Sequence, residues 1–409
     1  MLYRFSVKNF RSIKDEAVLD MQAISSVKEH EESLMDGGEH GPILPVAVVY
    51  GPNGGGKSNV LRALFALRAI LMFPMIAGDA DEGTVCESMI GKVVKPFMLD
   101  DTSQREPTVF DVFFSSKGIE FHYMLEVMAE DGKVLRELCE YDEEDGNHTR
   151  KLFEREGATF HPGEEELGLD SLWEGYSGEK AFMAGLFEYK AGNEVIAAAR
   201  NWFSEQLLRN FDNPVSDKSI ALPRDRENKD ELLRRFNEMD LGIHDFALEG
   251  SREEKKRLVV YHAGAGGKVY KLRFADESAG TRKVFSFLAH VVAAIEGGDL
   301  VVLDELDAKL HTLLLRYIVG LFTSPGFNKK GAQLIFTSHD MATLCKEVFR
   351  RDEIWFAAKN GKNATDLYSM SDFKDDGGSE TSYAQEYLDG MYGADPYLKA
   401  IKMFKGEGR

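Results

Sequence analysis

The sequence predicts an α/β fold: a mixed sheet, an antiparallel β lobe and a helical insertion lobe. Three observations predict it. Buried apolar runs of strand length, Val46–Tyr50, "DLVVLDE" and "AQLIFTSHD", alternate with stretches of helical rhythm. Residues 95–145 alternate apolar and polar like antiparallel strands, with hairpin signals at Ser115-Ser116-Lys117-Gly118 and Glu130-Asp131-Gly132. Residues 150–250 are rich in Glu, Lys and Phe, with helical spacing in "NEVIAAARNWFSEQLLRNF" and "NKDELLRRFNEMD". Strands at both ends building one sheet argue for an α/β core split by a long insertion. The expected division is an N-terminal lobe over 1–150, a helical insertion lobe over 151–250 and a C-terminal lobe over 251–409.

Each element has a local cause. The start, "MLYRFSVKNFRSIKDE", alternates like a strand and does not read as a signal peptide. The run Val46–Tyr50 is a buried strand, followed by a Gly-rich turn and a helix from about Lys57. Strand signals return at "KRLVVYHAG" and "KVYKLRFAD". A helix then follows Ser278, whose hydroxyl can accept a backbone N–H, with apolar rhythm at Val284, Phe285, Phe287 and Leu288. The strand "DLVVLDE", a helix from about Leu310 and the strand "AQLIFTSHD" complete the core. The last stretch holds "DEIWFAAK", the acidic loop "SDFKDDGGSETS" and "YLDGMYGADPYL". Trp173, Trp202 and Phe203 sit among apolar residues at helical spacing and read as core of the insertion.

Composition narrows the function. The 409 residues are 43% hydrophobic, with enough apolar chain for a core that needs no staples. Mean hydropathy is -0.30, and the longest apolar run, "LFALRAILMFPMIA", is broken by Arg68 and Pro74, so no membrane span is expected. Cys86, Cys139 and Cys345 lie far apart without metal-site spacing, which fits structural thiols in a reducing, cytoplasmic setting. A formal net charge of -19 repels nucleic acid overall. Arg252, Lys255, Lys256 and Arg257, and Arg224, Arg226, Arg234 and Arg235, are interleaved with acids and read as solvated, salt-bridged surface.

The segment Gly51–Ser58, "GPNGGGKS", matches the phosphate-loop pattern between a buried strand and a helix. Asn53, Gly54, Gly55, Gly56, Lys57, Ser58 and Asn59 would surround a nucleotide's phosphates. Backbone N–H groups would turn inward, Lys57 would reach the β- and γ-phosphates, and the Ser58 hydroxyl would ligate Mg²⁺. The strand "LVVLDE" ends in Asp304 and Glu305. Two carboxylates there suit a metal-holding acid and a base for the attacking water. About 35 residues on, "LIFTSHD" places His339 where it can donate to a γ-phosphate. The cofactors expected are therefore ATP and Mg²⁺.

The ordered set of phosphate loop, "SAGTR", "LVVLDE" and "TSH" resembles the ATP-binding-cassette ATPase head of SMC, Rad50 and RecF proteins. The resemblance implies that Ser278, Ala279 and Gly280 face the γ-phosphate held by a partner head. It implies a head-to-tail homodimer or higher homo-oligomer with ATP between protomers. It also puts Asp307, in "ELDAKLH", in a loop that communicates between the two sites. The segments "FSVKNFRSIKD", "GPNGGGKSNVLRAL", "ESAGTRKVFSFL", "LDELDAKLH" and "YLDGMYGADPYL" look like the AAA15-type ATPases, relatives of the RloA, AbiL and PARIS (AriA) anti-phage group. That likeness implies a sensor or scaffold ATPase controlling a separately encoded nuclease or toxin, and places Asn9–Ser12 beside the nucleotide base. One departure is the Gln that such heads carry near the metal, for which Gln104 is the only nearby candidate, in a poor context. The alternative is a RecF- or SMC-like DNA repair or maintenance ATPase that binds DNA. A self-contained ATPase–nuclease fits poorly, since the chain after His339 is short and lacks a second acidic strand motif.

Overall fold

The computed structural model describes residues 1–76, 87–143, 149–163, 168–174, 176, 180–205, 207–210, 226–250, 257–308, 310–373 and 382–394. Cys86, Arg224, Arg252, Lys255, Lys256, most of the acidic loop and everything from residue 395 lie outside them, as does the side chain of Arg226.

In chain order the first strands are β1 (Leu2–Lys8), β2 (Ala17–Asp20), β3 (Met35–Asp36), β4 (Pro42–Ile43) and β5 (Val46–Tyr50), followed by helix α1 (Lys57–Met72). Next come β6 (Met75–Ile76), β7 (Glu87–Ser88), α2 (Met89–Val93), β8 (Thr108–Ser116), β9 (Ile119–Val127), β10 (Val134–Glu143), β11 (Arg150–Glu156) and β12 (Thr159–Pro162). The middle holds α3 (Leu169–Trp173), α4 (Phe182–Tyr189), α5 (Glu194–Glu205), β13 (Leu207–Asn210) and α6 (Arg226–Glu238). Then follow β14 (Ile243–Glu249), β15 (Arg257–Ala263), β16 (Val269–Arg273), α7 (Ala279–Gly297), β17 (Leu300–Asp304) and α8 (Thr312–Thr323). The chain closes with β18 (Gln333–Thr337), β19 (Ile354–Lys359), β20 (Thr365–Ser369) and α9 (Tyr383–Leu388).

A six-stranded sheet in the order β13-β17-β18-β5-β19-β20 is the central layer. Its first five strands are parallel, and β20 returns antiparallel beside β19. Parallel strands covered on both faces read as continuous apolar runs, and every residue of β5, β17 and β18 is buried. Alternate side chains enter two different cores. Ala47, Val49 and Val302 pack with α1, α4, α5 and a seven-stranded antiparallel sheet, β12-β11-β10-β9-β8-β1-β2. Val48, Tyr50, Val301, Leu303 and Phe336 face α6, α7 and α8. The α/β class, with a mixed sheet and an antiparallel β lobe, is the one the sequence predicts.

The span 151–250 differs from the expected helical lobe. Its first residues are β11 and β12, which extend the antiparallel sheet beyond β10. The helical rhythm of "NEVIAAARNWFSEQLLRNF" stops at Glu205, and Leu207–Asn210 becomes β13, parallel to β17 at the sheet edge. Pairing with an open strand edge outweighs the helical propensity of the leucines and Arg209 there. Residues Ile243–Glu249 form β14 of a three-stranded sheet with β15 and β16. The helices α4 and α5 share one core with α1 and the antiparallel sheet: Trp202 stacks on Phe114 at 4.2 Å, and Phe203 packs edge-on to the same ring. Trp173 stacks on Phe160 at 4.9 Å.

Glu137 of β10 fastens α4 to the sheet. It is fully buried and pairs with the equally buried Arg155 at 3.1 Å. It also accepts from Tyr123 Oη at 2.8 Å and from the backbone N–H groups of Phe182 and Met183 at 2.7 and 2.9 Å. A carboxylate at a helix N-terminus meets both unpaired N–H groups and the positive end of the helix dipole.

Candidate functional site

The C-terminal ends of β5, β18 and β17 are adjacent because these strands pair in parallel. Each therefore delivers its polar terminus to the same edge of the sheet, where ligands of open α/β sheets bind. After β5 the chain turns through Gly51–Gly56 into α1. Glycine is demanded most sharply at two of these positions. A Cβ on Gly51, at φ 146°, would lie 2.1 Å from Ala357 O, and one on Gly56, at φ 110°, would lie 2.0 Å from Thr365 Oγ1. Asn53 and Gly54 are exposed at the loop's crest.

Lys57 opens α1 and is only 6% exposed. Its ammonium donates to Gly51 O at 2.8 Å and Pro52 O at 3.1 Å, inside the loop. Burial pushes its pKa down to about 8, against the attraction of Asp304, Asp307 and Glu305. Ser58 Oγ donates to Asp304 Oδ1 at 2.9 Å. Asn59 Nδ2 donates to Ser12 Oγ at 2.7 Å, and Thr365 Oγ1 donates to Gly55 O and is hydrogen-bonded to Ser12 Oγ, each at 2.8 Å.

Asp304 is the last residue of β17 and is 3% exposed. Glu305 follows at φ 56°, a left-handed conformation unusual for a residue with a side chain. Thr337, the last residue of β18, meets both. Its Oγ1 donates to Asp304 Oδ1 at 2.8 Å and accepts Glu305 N–H at 2.7 Å. Asp307 Oδ2 accepts His339 N–H at 2.9 Å. The His339 ring is exposed, and partial desolvation followed by the Lys57 charge holds its pKa below the ordinary imidazole value. It is therefore neutral at pH 7 and can donate one N–H.

The structure thus gathers Lys57, Ser58, Asn59, Asp304, Glu305, Asp307 and His339 at one edge. Ser278, Ala279 and Gly280 stand apart from these hydrogen bonds. Ser278 caps α7, accepting Thr281 N–H at 3.0 Å, and both Ser278 and Ala279 are exposed. Helix α7 still touches the site's rim, where the buried Lys283 donates to Ala308 O beside Asp307. Asn9 is buried, its amide bonded to Ser103 O, Glu106 O and Phe97 N–H. That leaves Ser12 as the member of its segment that reaches the phosphate loop. Gln104 donates to Met98 O at 3.0 Å within its own loop, so its amide is engaged away from the carboxylates. Thr337 is the residue the sequence reading passed over. The motif "TSH" contained it, but its role depends on β17 and β18 being neighbours.

A divalent cation fits this donor set. Asp304 and Ser58 offer one carboxylate and one hydroxyl, already within hydrogen-bond distance of one another. Among the described residues no group of three or more His, Cys, Asp or Glu side chains could hold a metal. A hard ion here would complete its shell with phosphate oxygens and water, as Mg²⁺ does at nucleotide sites.

Residues 46–344 match the family described as "AAA domain, putative AbiEii toxin, Type IV TA system". The chain belongs to this family. It is accordingly a P-loop ATPase domain by descent. No curated protein matches it. Among solved structures it is similar to the SMC head domain from Thermotoga maritima, at 14% identity and a TM-score of 0.41, over 90% of this chain and 98% of that one. A second is an SMC head bound to the C-winged helix domain of ScpA, at 12% identity and a TM-score of 0.41, over 90% and 97%. No helix among the described residues is long and apolar enough to cross a membrane.

Proposed function

We propose that this chain binds and hydrolyses ATP with Mg²⁺, as the head of a head-to-tail homodimer or larger homo-oligomer that controls a separately encoded effector in anti-phage defence. The observation that carries the catalytic part is the meeting of Lys57, Ser58, Asp304, Glu305 and His339 on three adjacent parallel strand ends. Backbone N–H groups of Gly54–Ser58 and the Lys57 ammonium bind the phosphates. Ser58 and Asp304 would hold Mg²⁺, which would supply positive charge beside the phosphate oxygens. Glu305 takes a proton from the attacking water, and neutral His339 donates to the γ-phosphate. Ser278 and Ala279 are exposed at the start of α7, an end suited to a partner's nucleotide.

The defence role rests on the motif resemblance to anti-phage ATPases and on a family description that names a toxin–antitoxin system. The test is the Glu305→Gln variant, weighed by light scattering with and without ATP and Mg²⁺, then with short duplex DNA. We expect turnover to fall about 10²- to 10⁴-fold and an ATP-dependent dimer to accumulate regardless of DNA. Wild-type turnover in the variant would remove Glu305 from the chemistry. Dimers that need DNA would replace the effector-controlling role with DNA maintenance.

A further inference from the structure

We propose that Thr337 is the positioning residue of the hydrolytic site, one hydroxyl that sets the metal-holding and the water-activating carboxylates against each other. The inference deepens the ATPase reading above and rests on it for its catalytic half.

The parallel ladder between β17 and β18 ends at the pair Leu303–Phe336. Beyond it the chain must leave the strand and yet keep two acids in place. Glu305 turns at φ 56°, a left-handed conformation disfavoured for a residue with a Cβ. Such a conformation persists only where neighbours over-determine it. Here the neighbour is Thr337, fully buried, which takes Glu305 N–H on its hydroxyl oxygen. The same hydroxyl has one proton to give, and it gives it to Asp304 Oδ1. The backbone adds a third link, Leu306 N–H to Thr337 O at 3.2 Å.

The hydroxyl is therefore used on both sides at once. Its donor fixes which oxygen of Asp304 is engaged within the protein. Its acceptor holds the turn that carries the Glu305 side chain out of the strand. Ser58 also donates to Asp304 Oδ1, and that hydroxyl is the one a metal would claim. Thr337 lies 33 residues along the chain on the neighbouring strand, so its bond can persist when Ser58 changes partner. Valine has the same shape and neither bond. Serine keeps both.

The experiment compares wild type, Thr337→Val and Thr337→Ser by ATP affinity, kcat and KM, and by hydrogen exchange at the Glu305 amide in the nucleotide-free protein. We expect Thr337→Val to lower kcat about 10- to 100-fold with ATP affinity nearly unchanged, and Thr337→Ser to restore it. We expect the Glu305 amide to exchange slowly in wild type and Thr337→Ser, and fast in Thr337→Val. Wild-type kcat in Thr337→Val would overturn the positioning role. So would a Glu305 amide that exchanges in wild type as freely as an open loop, a result that needs no folded variant. A wild-type protein that binds ATP without hydrolysing it would defeat the ATPase reading and the catalytic half of this one, while exchange would still decide the hydrogen bond.

Discussion

Asp304 and Glu137 are both buried carboxylates, one on each large sheet, and they are satisfied in opposite ways. Glu137 is closed in by an arginine, a tyrosine and two backbone N–H groups at the start of α4. None of these can leave without unfolding something. Asp304 is held by the hydroxyls of Ser58 and Thr337, with the Lys57 ammonium near enough to feel its charge but bonded to loop carbonyls. The Ser58 hydroxyl can rotate to a ligand at little cost while the buried Thr337 keeps its bond. The difference teaches how to separate a structural acid from one kept available: ask whether its partners could be swapped for a ligand.

The comparison can be broken by paired substitutions. The largest effect is expected from Asp304→Asn, which should cut ATP turnover about a thousandfold through loss of the metal's charged ligand, with little change in thermal midpoint. A large drop in midpoint would place Asp304 beside Glu137 as a structural group. Glu137→Ala should do the reverse. It strands Arg155 in a fully buried site, so we expect about 3–5 kcal/mol of lost stability, read from denaturant midpoints. Unchanged midpoints would mean that α4 is anchored by its apolar face alone.

Two smaller effects follow from pH. Phosphate binding favours the charged form of Lys57, whose pKa is pushed down to about 8 by burial. ATP affinity should therefore be flat below that pH and weaken above it. A titration flat to the ordinary lysine range would show that the loop leaves Lys57 more solvated than its burial indicates. The second concerns Glu353, buried beside Asp352 and pushed up from 4.5 to about 8, chiefly by desolvation. Its neutral form is the one the fold accommodates. Its contribution is complete below about pH 4.5 and is lost as pH rises through about 8. Glu353→Gln should flatten that decline, and an unchanged stability profile would assign the slope to other groups.

Much of the site was legible because its parts are local. Gly51–Ser58, Asp304–Glu305 and His339 carry fixed spacings and sit where strands end, so periodicity and motif together located them. Thr337 was not legible as a positioning residue. Its partners lie across a parallel pairing, and nothing in "LIFTSHD" says which strand is next door. The strands within 151–250 were not legible for a related reason. Leu207–Asn210 has no strong strand pattern and becomes a strand because β17 offers an open edge. The helices α4 and α5 were legible as helices, but their apolar faces could not say that they cover α1 and the antiparallel sheet instead of closing a lobe of their own.

The brace around the phosphate loop has a consequence for biogenesis. Thr365 bonds Ser12 and Gly55 and packs against Gly56, and its own N–H is held by Ser12 O at 2.7 Å. The first strand's turn, the loop and the return strand β20 thus meet at one threonine. A ribosome delivers that residue long after the loop itself has emerged. Until then the glycines have no wall behind them, so a growing chain carries the nucleotide motif without the rigid cradle. Competence for ATP would arrive late in synthesis, and a fragment ending before β20 would be born without it.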